Sequence, residues 1–252
     1  MIKDLFLIAN VGAAGNLVRN LLLTSKDVYW PEQSCDRYDT ILAQYATDSL
    51  SGWWVTERNL DFINPISGVD STLALDYNTY KQSRYKITSP IVILNHSLLW
   101  DINSEFDNFF KDTTMLYITP LTAQGLEWQV RALHFKCVDG NNKAMMDFSF
   151  NDNKEEQVTQ FISENGQHEY FKMNTINMRE ILERQQKQFL EVNKHIPVLS
   201  IEELITADPN LIIEKLMSIF GIRLDQTAIT ILNCWRKLHW AYQDTYNWEF
   251  CK

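Results

Sequence analysis

Asn10-Val11-Gly12-Ala13-Ala14-Gly15-Asn16 joins a short apolar run, Leu5–Ala9, to Leu17-Val18-Arg19-Asn20-Leu21-Leu22-Leu23, where apolar residues recur at helical spacing. A buried strand turning through small residues into a helix leaves the first helical N–H groups aimed at one spot. With the positive end of the helix dipole, those amides form a place for an anion, most often phosphate or sulfate. The main-chain N–H groups of Gly12, Ala13, Ala14, Gly15, Asn16 and Leu17 are the candidates. A second reading stays open, because small-residue turns also let a helix sit close on a sheet. The turn has neither the G-K-[ST] ending of a nucleotide-hydrolase loop nor the G-x-G-x-x-G dinucleotide spacing.

Two further clusters follow apolar runs. His96, in Asn95-His96-Ser97, comes after Ile91-Val92-Ile93-Leu94, and histidine titrates near neutral pH, as a general base must. Thr119 and Thr122, in Thr119-Pro120-Leu121-Thr122, come after Met115-Leu116-Tyr117-Ile118. Each has a plainer alternative, a hydrogen-bonded turn histidine and helix-capping threonines respectively.

The elements that must position these groups are legible in the hydrophobic pattern. Four apolar runs, the last at 196–201, predict strands, and helical stretches fall between them. These helices are predicted over Gln124–Phe135, Lys154–Glu164, Asn177–Lys194 and Asp225–Tyr242, with others over Tyr38–Tyr45 and Asp101–Phe110. Asp208-Pro209 opens a further helix as cap and first-turn proline, and Gly221 closes it. Continuous apolar strands alternating with helices predict an α/β fold, a three-layer sandwich around a central, mostly parallel sheet. Ligands of such folds sit at the carboxyl ends of strands, where all three clusters fall. The chain is expected to be one domain over 1–252. Irregular excursions are expected at 46–80 and 139–153, with a helical C-terminal part.

Composition narrows the function classes. A net charge of −9 argues against nucleic acid as a partner, which demands clustered Lys and Arg. No run of 18 apolar residues predicts a membrane span, and Asp4 interrupts what would be a signal sequence. The 4 cysteines have no C-x-x-C pair, and no histidine has ligand spacing with a neighbour. The expectation is a cytoplasmic protein without a metal.

In the order of its elements the chain resembles the sulfotransferase family, which has a P-loop-like α/β topology. Ile8–Leu23 is similar to the family's phosphosulfate-binding loop and following helix, and Ile91–Leu98 to the strand delivering the catalytic histidine. Met115–Gly125 is similar to the 3′-phosphate-binding strand and turn. Ile201-Glu202-Glu203-Leu204 through Phe220-Gly221 is similar to a late structural segment. The resemblance implies a sulfuryl donor, 3′-phosphoadenosine 5′-phosphosulfate, and a carbohydrate or small-molecule hydroxyl as acceptor. It implies that His96 is the base and that the Gly12–Leu17 amides hold the phosphosulfate. Arg19, Thr119 and Thr122 would serve the second phosphate. The chain departs from the family in lacking the loop lysine and the arginine after the third strand. A catalytically inactive scaffold of the same fold is the alternative. A kinase is disfavoured by the absence of metal carboxylates and G-K-[ST].

Overall fold

The computed structural model describes residues 3–9, 13–29, 88–95, 111–130 and 154–245. The chain runs β1 (Asp4–Ala9), α1 (Gly15–Leu23), β2 (Val92–Asn95) and β3 (Thr113–Thr119), then helical residues 123–130. It continues with α2 (Lys154–Asn165), α3 (Gln167–Val192), β4 (Val198–Ser200), α4 (Ile201–Thr206), α5 (Pro209–Phe220) and α6 (Gln226–Thr245). The predicted helices at 38–45 and 101–110 and the excursions at 46–80 and 139–153 lie outside the described residues.

The four strands form one all-parallel sheet in the order β2-β1-β3-β4. All six residues of β1 are buried, because helices cover both sides of the sheet. Leu5, Leu7 and Ala9 point to a core shared with Leu21 of α1, Leu216 of α5 and Leu232 of α6. Phe6 and Ile8 point the other way, to a core with Met115, Tyr117 and Phe189 of α3. A strand that alternates between two apolar layers has no polar side, which is why its sequence reads as an unbroken apolar run.

The strand order reverses at β1. From β1 the chain moves outward to β2, then crosses back to build β3 and β4 on the other side. The right-handed crossover rule then sends the connecting helices to opposite faces, as α1 and α3 show.

The helix signals near the end of the chain match their structure. Asp208 caps α5 by accepting from the Asn210 N–H at 2.8 Å, Pro209 occupies the first turn, and Gly221 ends the helix at φ 67°. The long helix α3 starts ten residues before the Asn177 boundary read from the sequence. Gly166, at φ 88°, makes the break from α2, and fully buried Tyr170 anchors the early turns of α3 beside Phe161. Among the described residues, no helix is long and apolar enough to cross a membrane.

Candidate functional site

The sheet brings the first three strand ends to one edge. Ile8 stands opposite Asn95 of β2, and Ala9 stands opposite Ile118 of β3. In open parallel sheets, the crevice outside the strand ends at the reversal of strand order is where ligands bind. Here that point lies between β1 and β3.

On the β1 side, Ala14 turns the chain into α1. It adopts the left-handed conformation, φ 62° and ψ 22°, and is the one non-glycine residue among those described with positive φ. An alanine there carries strain of about 1 kcal/mol or more. Its carbonyl accepts the first helical bond, from the Val18 N–H at 3.2 Å, but its methyl offers no side-chain cap to the amides of the first turn. Replacing Ala14 with Gly is expected to hold stability or raise it by up to about 1 kcal/mol. Ala14→Val, with a branched Cβ in the same conformation, is expected to lower it by about 2 kcal/mol. Chemical denaturation of the three proteins checks both.

On the β3 side an internal carboxylate fills the corresponding place. Thr122 caps the helix of 123–130, its Oγ1 accepting from the Gly125 N–H at 3.1 Å. Glu202 then accepts from the Leu121 N–H at 3.0 Å, and from the Thr122 N–H and Oγ1–H at 2.6 Å each. These partners are 80 residues apart in sequence and meet because β3 pairs with β4, setting Ser200 beside Thr119. Gly125 makes room, since a Cβ at that position would overlap the Glu202 carboxylate. Gln186 donates to the Pro120 carbonyl, and Arg179 pairs with Glu127, so α3 braces the same turn.

Glu203 behaves differently from its neighbour. It forms a capping box with Ser200: the Glu203 N–H donates to Ser200 Oγ at 3.0 Å, and the Ser200 N–H donates to Glu203 Oε2 at 2.8 Å. Its other oxygen accepts from Lys215 Nζ at 2.7 Å. Burial raises the Glu203 carboxyl, but the Lys215 ammonium and the Ser200 hydrogen bonds outweigh it and hold it below the ordinary range. A depressed carboxyl favours the fold above its unfolded value and loses that contribution as pH falls through the folded one. The pair is partly exposed, so the effect is under about 1 kcal/mol. In melts from pH 7 to pH 3, Lys215→Met is expected to flatten part of the acid-side loss of stability.

The other residues singled out by sequence are placed as follows. Ala13, Gly15 and Leu17 are buried, and Asn16 is half-buried and takes part in interactions within the chain. Arg19, one turn into α1, is 1% exposed and likewise engaged within the chain. Thr119 is fully buried at the end of β3, on the same face as Tyr117. Burial raises the Tyr117 phenol above its ordinary value, with Thr119 acting in the opposite direction, so Tyr117 is neutral at physiological pH. Gly12 and His96 lie outside the described residues. Glu202 is the residue at this edge that sequence reasoning missed. Gly125 was its only local trace.

Compared with models of known protein families the chain matches none, and no curated protein matches it.

Proposed function

We propose that the chain is a sulfotransferase-like transferase that holds a phosphate- or sulfate-bearing nucleotide donor at the reversal point between β1 and β3. The observation that carries this reading is the placement of α1. Its first turn, without a side-chain cap from Ala14, opens at the carboxyl end of the central strand, where the strand order reverses. The P-loop-like topology belongs to the same proposal, supported by the order β2-β1-β3-β4 and by a small-residue turn at the end of β1.

The donor implied by the resemblance, 3′-phosphoadenosine 5′-phosphosulfate, supplies the sulfuryl group. Main-chain N–H groups from Ala13 to Leu17 hold its anionic end and offset the charge left on the phosphate, with no lysine contributing. His96 directly follows β2, whose end lies beside that of β1. It takes the proton of the acceptor hydroxyl, on a carbohydrate or a small molecule.

Thermal shift with 3′-phosphoadenosine 5′-phosphate tests the donor site, since a ligand of the native state raises the melting temperature by mass action. A rise at millimolar ligand is expected. With binding in hand, His96→Ala is expected to remove turnover and leave the shift intact. A second reading, a scaffold that keeps the fold without catalysis, is favoured by Glu202. A protein that fills one of its own anion positions with a carboxylate has less need of a bisphosphate donor. The absence of any thermal shift would establish that reading over the first.

A further inference from the structure

The β3 side of the strand-end crevice already holds a negative charge. Glu202 Oε1 takes the Thr122 N–H and Oγ1–H at 2.6 Å each, and both carboxylate oxygens accept from the Leu121 N–H, at 3.0 and 3.2 Å. These are the main-chain donors that a phosphate at this turn would need. Gly125 leaves the room that the carboxylate takes up, and the Ser200–Glu203 capping box fixes the first turn of α4 from which Glu202 projects. An anionic ligand group arriving here meets both occupied donors and a like charge.

We propose that Glu202 is a specificity-determining residue of the crevice. By supplying the chain's own carboxylate to the turn after β3, it leaves one anion position, at the first turn of α1. The ligand class is therefore a nucleotide or ester read through a single phosphate or sulfate end, and a second phosphate adds nothing to its affinity. This inference rests on the reading of the α1 turn as an anion site.

Two nucleotides differing by one phosphate, adenosine 5′-phosphate and 3′-phosphoadenosine 5′-phosphate, test it by calorimetric titration of the full chain. In the wild-type protein their dissociation constants are expected to agree within about threefold. Glu202→Gln removes the charge and keeps a carbonyl acceptor for the turn, while Glu202→Ala also vacates the position. In both variants the bisphosphate is expected to gain tenfold or more over the monophosphate, a difference of about 1.4 kcal/mol. Because the readout is a ratio within one protein, a loss of stability in either variant does not mimic it. A wild-type protein that prefers the bisphosphate tenfold, or variants whose ratio stays at the wild-type value, would overturn the role of Glu202 while leaving the α1 site standing. Failure of both nucleotides to bind the wild-type chain would remove the α1 anion site, and this inference with it.

Discussion

Phe6→Ala and Leu7→Ala are each expected to destabilise the protein by about 3 kcal/mol, although the two side chains point in opposite directions. In a sheet with one wet face, only one of two successive residues is costly to truncate. Here Leu7 fills the layer beneath α1, α5 and α6, and Phe6 fills the layer beneath α3, both almost wholly buried. Neither cavity opens to water, so the lost contacts are not replaced. For a chain of this length the change corresponds to a fall in melting temperature of roughly 6–12 °C, readable by calorimetry. A large effect at Leu7 with a small one at Phe6 would mean that the α3 layer does not seal the sheet.

Arg236→Met is expected to cost about 2 kcal/mol, the scale of hydrogen bonds made by a charged donor. The guanidinium of Arg236, on α6, donates to the Leu204 carbonyl at 2.7 Å and the Ala207 carbonyl at 2.7 Å, with a longer bond to Glu203 at 3.4 Å. These carbonyls lie at the end of α4, the negative end of its dipole, and that of Glu203 also accepts from the Ala207 N–H at 3.0 Å. Burial lowers the Arg236 basicity and Asp208 restores part of it, so the group stays charged. Arg236→Lys is expected to recover less than half of the loss, because one ammonium does not reproduce the planar fork that spans two carbonyls. Urea denaturation of the three proteins checks the order wild type, Lys, Met.

The strands and the late helices were legible in the sequence because their causes are local. Leu5–Ala9 carries its two-sided burial in its composition, and α5 carries its cap, its first-turn proline and its terminal glycine within fourteen residues. The break between α2 and α3 is also local, but Gly166 stands in a polar stretch with little periodicity on either side, and the boundary was lost there. Ala14 was illegible for a different reason, since nothing in an alanine announces left-handed geometry, which sequence patterns associate with glycine. At the candidate site, the convergence of three strand ends followed from the alternation of elements. The contact that most changes its electrostatics did not. Glu202 reads locally as a favourable acidic residue in a first turn, yet its carboxylate serves another helix, and only the β3–β4 pairing shows which one. Arg236 is the same kind of case, a charge whose task lies on a helix some thirty positions earlier.

The central position of β1 also bears on how the chain is made. Its first neighbour in the sheet is β2, and the contact between Asp4 and Ile91 that seals the start of this pair spans 87 positions. At ribosomal speeds of about 5–20 residues per second, β1 leaves the exit tunnel roughly 4–17 seconds before its partner has been synthesised. Through that interval, the six residues of β1 wait without their β2 partner. A sheet closed by such distant pairings assembles late and slowly. The yield of folded protein is therefore expected to depend more on synthesis rate than the stability of the finished fold would suggest.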